Sequence, residues 1–219
     1  MATLNSYITD VRRLVHDANA TYWTNDDLTS YVNRAVKQRD IDTSIRRELV
    51  VAPLIQGVSF YNLQNYSLRA IDIVSLTIYY SNLRVVMEQL SYSEMVGSSG
   101  YLSILNYTDV PRAFARYGQM DIVLGPVPNQ PYTTEWDLLV FSPELVLPTD
   151  DDGAIYPWTD PVPFMAASFA KFEMQQYDEA DKFREMYDRR IVEMLGGARG
   201  MMNASPYFQY GSRYNTGQR

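Results

Sequence analysis

The sequence predicts an α+β protein. A helical bundle is formed by an N-terminal hairpin and the C-terminal helices, a β-rich insertion sits in the middle, and an extended C-terminal arm follows. Three observations carry this prediction. Apolar residues recur at helical spacing towards both ends of the chain. From Leu49 the pattern changes to short apolar runs separated by Gly, Pro, Asn and Ser. After Gly196-Gly197 the chain keeps its aromatics and loses every acid. The predicted domains are residues 1–48 with 155–195 as the bundle, 49–154 as the β-rich domain and 196–219 as the arm.

The first helix is predicted from Asn5 to Ala18, because Tyr7, Ile8, Val11, Leu14, Val15 and Ala18 share a face. The second starts at Asn25. Thr24 can cap it by accepting from the Asp27 amide, and Asp27 can reach back. Trp23 and Leu28 fall where a hydrophobic staple would pin the incoming chain. This helix is predicted to run to Ile45 or Arg47, with its polar half, Lys37 to Asp42, facing solvent. The short connection favours an antiparallel helical hairpin.

In the middle, Val50–Leu54 and Val58–Tyr61 read as extended segments. The strongest strand is Ala70–Tyr80, with Val74, Leu76, Ile78 and Tyr80 on one face. Ser81-Asn82 turns it into Leu83–Met87. Ser91-Tyr92-Ser93-Glu94 has the capping-box pattern of a short helix from Tyr92 to Val96. A second β-hairpin is predicted at Ala113–Tyr117 and Met120–Leu124 around Gly118-Gln119. The Pro-rich Gly125–Pro131 is read as irregular, and Trp136–Phe141 as a further strand. Towards the C-terminus, Asp160-Pro161 reads as a cap and first helical position. Phe164–Gln176 is apolar nearly all round, which predicts a helix buried on all sides. Asp178 is predicted to cap a final helix with the stripe Ala180, Phe183, Tyr187, Ile191 and Met194, stopped by Gly196-Gly197.

Composition narrows the chemistry. The 219 residues contain no cysteine, which excludes disulfides, thiolate nucleophiles and Cys-ligated zinc. The N-terminus lacks the basic and apolar regions of a secretory signal, and no apolar run has the length of a membrane span, so a soluble, cytoplasmically made protein is expected. Net charge is −7, which disfavours broad binding to nucleic acid. Residues 196–219 carry +3 through Arg199, Arg213 and Arg219, leaving −10 on the rest. Such a tail either contacts an acidic body, across subunits included, or is a disordered end. The 18 tyrosines suit surfaces buried on assembly or half-buried strands.

No reactive constellation stands out. The sole histidine, His16, has no Gly-x-Ser-x-Gly elbow to serve. Phosphate-binding and dinucleotide-binding glycine motifs are missing. Asp150-Asp151-Asp152-Gly153 lacks the alternation and distal Glu of a calcium loop and is read as solvated. The basic residues of the N-terminal helices are balanced by acids, as in surface ion pairs. No enzyme activity, metal or cofactor is expected.

Three segments, taken in order, resemble the head-to-tail adaptor (connector, head-completion) proteins of short-tailed bacteriophages. They are Tyr22-Trp23-Thr24-Asn25-Asp26-Asp27-Leu28 with Asn33-Arg34-Ala35; Val110-Pro111-Arg112-Ala113-Phe114-Ala115 leading to Gly125-Pro126-Val127-Pro128; and Asp160-Pro161-Val162-Pro163 before the acidic Asp178-Glu179-Ala180-Asp181. The resemblance covers most of residues 5–195. It implies a structural virion protein made in the bacterial host cytoplasm and placed in the neck or tail. It further implies a homo-oligomeric ring, a dodecamer, between the portal protein and a tail nozzle or tail tube protein. DNA would pass through the lumen without sequence-specific binding, and no membrane is involved. On this reading residues 196–219 form a partner-binding arm that hinges at Gly196-Gly197. Its contacts would be Arg199, Met201, Met202, Tyr207, Phe208, Tyr210, Arg213 and Tyr214. Glu135, Asp137, Asp150, Asp151 and Asp152 are candidates for acidic groups facing the channel. A carbohydrate-binding or hydrolytic tail protein, using the aromatics and paired carboxylates, and a small cytoplasmic helical regulator are the alternative readings.

Overall fold

The computed structural model describes residues 2–81, 83–97 and 104–203, with side chains to Gly196. The fold is mixed α+β, with helices at both ends and a β-rich centre. The helices are α1 (Leu4–Val15), α2 (Asn25–Thr43), α3 (Tyr92–Val96), α4 (Val162–Glu173) and α5 (Tyr177–Asn203). The first five strands are β1 (Arg47–Pro53), β2 (Phe60–Asn62), β3 (Ala70–Tyr80), β4 (Leu83–Val86) and β5 (Glu88–Leu90). Beyond them come β6 (Thr108–Asp109), β7 (Ala113–Tyr117), β8 (Asp121–Gly125), β9 (Val127–Pro128) and β10 (Thr133–Val140). The chain divides into two compact units, Met1–Thr43 with Ser142–Arg219, and Ser44–Phe141.

In the helical unit, α1, α2, α4 and α5 share one core that includes Tyr7, Val11, Leu28, Val32, Ala166, Ala170 and Tyr187. The first helix is shorter than its apolar stripe predicts. His16 takes a left-handed conformation (φ 61°) and ends it after Val15. Asp17 then organises the turn, its carboxylate accepting from the amides of Thr21, Tyr22 and Trp23. Arg12 braces the same turn through Asp17, the Trp23 carbonyl and the Asn25 side chain. The Thr24–Asp27 reciprocal cap forms as predicted, and Trp23 packs edge-on against Tyr31. The second helix stops at Thr43, short of Ile45, where Ser44 turns left-handed (φ 52°).

Burial raises the Asp17 carboxyl, but the three amides and Arg12 outweigh it and hold it below the usual carboxylate range. A carboxyl depressed in the folded state stabilises above its unfolded value of about 3.9 and loses that contribution as pH falls through the folded value. Protection of the Thr21–Trp23 amides, corrected for intrinsic exchange, should therefore collapse under acid of that strength. Asp17→Asn should show the same loss at neutral pH.

The C-terminal helices depart from the sequence reading at their ends. Pro161, not Asp160, occupies the N-cap of α4, with no side-chain cap bond. Most of α4 is buried, but Phe172 is exposed. Buried Lys171 is neutralised by Glu179, 2.8 Å away. Asp178 lies inside the first turn of α5 rather than ahead of it. The predicted stripe of α5 holds: Ala180, Tyr187 and Ile191 are buried, and Phe183 and Met194 pack on the core. Gly196-Gly197 does not stop the helix, which continues to Asn203. Each helical glycine costs only about 1 kcal/mol relative to alanine, too little to break a long helix already nucleated by packing.

The β-rich unit contains an antiparallel sheet in the order β1-β10-β3-β4 and a second sheet in the order β2-β8-β7-β5. Trp136, Leu76 and Ile78 of the first sheet and Tyr61, Phe114 and Leu124 of the second share one core. The predicted strand over Ala70–Tyr80 forms, but its faces are not those of strict alternation. Asp137 pairs with Ser75 while Leu138 pairs with Ile73, so the ladder shifts around Val74. Such an irregularity switches which side chains point inward: Ile73 is buried and Val74 is exposed, while Leu76 and Ile78 keep the predicted inward face and Tyr80, at the strand end, is exposed. The strands β7 and β8 pair around Gly118 (φ 71°), and α3 has its complete capping box. The Gly125–Pro131 stretch is not wholly irregular, since Val127-Pro128 forms a short parallel pair with Thr108-Asp109.

Candidate functional site

The three aspartates read as a solvated loop have separate structural roles. Asp150 accepts from the amides of Val146 and Leu147 at 2.9 and 2.8 Å, and these bonds hold its carboxyl below the usual range. Asp151 is exposed, and one of its oxygens accepts from the Gly153 amide. Asp152 is fully buried, so it faces no channel and no solvent. It accepts from the Tyr7 hydroxyl at 3.0 Å, the Ala154 amide at 3.1 Å and the Arg39 guanidinium.

Arg39 and Asp40, assigned by the sequence pattern to a solvent-facing half-helix, are also fully buried. The guanidinium reaches Asp40 Oδ1 at 2.7 Å, the Ser142 hydroxyl at 3.2 Å, and Asp152. The other oxygen of Asp40 accepts from the Ser142 amide at 2.7 Å. Burial would lower the Arg39 pKa, but the charges of Asp152 and Asp40 outweigh it, and Arg39 is held more firmly protonated than usual.

These bonds fix the backbone between β10 and α4. Asn33 adds a reciprocal pair with Leu145, donating to its carbonyl and accepting from its amide, both at 2.9 Å. The first amides of α1 are capped in turn, Leu4 by the Asp150 carbonyl and Asn5 by the Pro148 carbonyl. A connection of this length without helix or strand is uncommon in a compact domain and is usually either functional or disordered. Here it is bonded along its length, and it displays Val146, Leu147, Ile155 and Tyr156 to solvent. Apolar side chains on a backbone held in place bind with less ordering entropy to overcome. This stretch is therefore the candidate interface of the helical unit.

Burial also pushes up the phenol pKa of Tyr7, Tyr31 and Tyr187, assisted by the carboxylates of Asp152, Glu173 and Asp42 to which each donates. A phenol raised above its unfolded value of about 10 stabilises below that pH and ceases to do so as pH climbs through the folded value. The helical unit should thus lose stability above about pH 10. Phenolate absorbance should show these three tyrosines ionising together with unfolding, above the ordinary phenol value of about 10.

In the β-rich unit, Glu135 and Asp137 lie on the partly solvated face of the first sheet. Glu135 accepts from Tyr79 and from Arg84 at 2.7 and 2.9 Å, bonds that hold its carboxyl below the usual range. Asp137 is 3.5 Å from Arg47. The arm candidates are only partly described. Arg199, Met201 and Met202 lie on the helical backbone of α5, whereas Tyr207, Phe208, Tyr210, Arg213 and Tyr214 fall outside the described residues.

No His, Cys, Asp and Glu group of metal-binding size occurs among the described residues. No described helix is long and apolar enough to cross a membrane. The buried carboxylates Asp17, Asp40 and Asp152 are satisfied by Arg12, Arg39, Tyr7 and backbone amides. What the molecule offers is exposed apolar and charged surface on bonded backbone, an arrangement suited to binding. A comparison with curated proteins found no match. The model of one family, described as SU10 adaptor protein, matches residues 2–207. With helices from both ends and the β-rich centre all inside that match, the chain belongs to the SU10 adaptor protein family and has a general head-to-tail adaptor or connector role.

Proposed function

We propose that this chain is a ring-forming structural protein of a phage neck, bridging the portal to the tail and lining part of the DNA channel. The observation that carries the reading is the family match over nearly the whole chain. On this reading the N-terminal hairpin and C-terminal helices form the bundle of each subunit. The segment with Val146, Leu147, Ile155 and Tyr156 supplies anchors for a neighbouring component. The net negative charge outside residues 196–219 favours a lumen through which DNA slides, because cationic contacts to phosphate are what retain it. Glu135, Asp137, Asp150 and Asp151 remain lumen candidates, whereas Asp152 is fully buried and is not one.

The partner-binding arm narrows to the residues beyond Asn203. Deleting 204–219 should leave the circular dichroism and melting of the chain unchanged and abolish its sedimentation with portal rings. Undiminished binding would rule out the arm. Mass measurement of the chain mixed with portal tests the larger reading: a discrete multimer on the portal is the expected result, and no complex at any ratio would overturn it.

A further inference from the structure

A ring of identical subunits uses a heterologous contact, so each copy must offer two different patches that do not overlap. The first sheet of the β-rich unit offers such a pair. Its edge strands are β1 and β4, and among the described residues nothing pairs with the outer edge of either. Unpaired strand edges are templates for pairing with another chain, and natural proteins usually blunt them with charge or a bulge. These edges are weakly guarded. All four residues of β4 are exposed, and three of them, Leu83, Val85 and Val86, are apolar. On β1, Leu49 and Val51 are exposed between Arg47 and Pro53.

Strand direction decides how two copies would join. Each neighbouring pair in the order β1-β10-β3-β4 is antiparallel, so β1 and β4 run in opposite directions. When a second copy follows the first with little rotation, its β1 meets the first copy's β4 antiparallel, the more stable ladder. The side chains match as well. Val51 pairs with Glu135, Glu135 with Thr77, and Thr77 with Val86. Val51 and Val86 therefore end one row on one face, and they are 61% and 62% exposed. In a ladder that keeps this register, Val86 of one copy sits beside Val51 of the next, a favourable β-branched pair.

We infer that β4 of one copy pairs antiparallel with β1 of the next, carrying the sheet from subunit to subunit. The inference rests on the ring-forming reading above and names the surface that makes the ring. The absence of native cysteine makes the test clean. A Val51→Cys/Val86→Cys chain, assembled alone or with portal and then oxidised, should give a ladder of covalent dimers, trimers and larger species. Either single variant should stop at dimer or below. Val51→Lys/Val86→Lys should lower assembly at least tenfold while circular dichroism stays native. Leu68→Lys, more exposed still but off the sheet, should assemble as the parent does. If rings form and the double cysteine chain yields no ladder while the lysine variant assembles normally, the edge contact is wrong and the ring stands. If the parent chain forms no multimer in any mixture, both fall.

Discussion

Arg39→Ala should destabilise the helical unit by about 3–5 kcal/mol, the range for removing one partner of a buried ion pair. In a chain of this size that corresponds to a fall in melting temperature of roughly 6–20 °C. The magnitude follows from what is left behind. Asp40 and Asp152 remain enclosed with no cation, and the Ser142 hydroxyl loses its donor. Arg39→Lys should recover only part of the loss, because an ammonium lacks the planar fork that reaches two carboxylates and a hydroxyl at once. The local consequence separates this prediction from a general core defect. The stretch from Ser142 to Asp160 should become open to proteolysis near Leu147 and Tyr156 at temperatures where far-ultraviolet circular dichroism is still native. A stability change within about 1 kcal/mol of zero would mean that the buried cluster is dispensable.

The cluster also marks where sequence reasoning reached its limit. Local signals were legible: the Thr24–Asp27 and Ser91–Glu94 caps, the Gly118 turn and the stripe of α5 each depend on residues a few positions apart. Arg39-Asp40 was not legible. An Arg-Asp pair in a polar half-helix reads as surface, and the partner that makes burial tolerable, Asp152, lies 113 residues away. The available signal was Asp150-Asp151-Asp152 itself. Three adjacent acids repel one another unless a cation or amides receive some of them, and here Arg39 and backbone amides do. The end of α5 failed for a different reason. Gly196-Gly197 resembles a stop, yet a stop requires the backbone to turn left-handed, and glycine permits that turn without forcing it. Val74 is exposed because the strand ladder slips, which strict alternation cannot foresee.

Trp136→Ala should damage the β-rich unit by about 3–5 kcal/mol, as expected for emptying a large aromatic site. Trp136 is fully buried, lies stacked on Tyr66 with centroids 4.3 Å apart, and donates through its indole nitrogen to the Thr134 hydroxyl at 2.8 Å. Trp136→Phe should cost less, because an aromatic ring remains against Tyr66 and Thr134 still donates to the Ala52 carbonyl. The two units can be followed separately. Trp136 is the sole tryptophan of the β-rich unit, whereas Trp23 and Trp158 belong to the helical one. In the Trp136 variants, tryptophan emission therefore reports the helical unit, and hydrogen exchange across Ala70–Tyr80 reports the other. Arg39 and Trp136 share no bonding partner, so their effects should add to within about 0.5 kcal/mol in the double variant. A Trp136→Ala chain whose tryptophan emission melts early would show that the helices depend on the sheet for their stability, and the two units would then have to be treated as one cooperative structure.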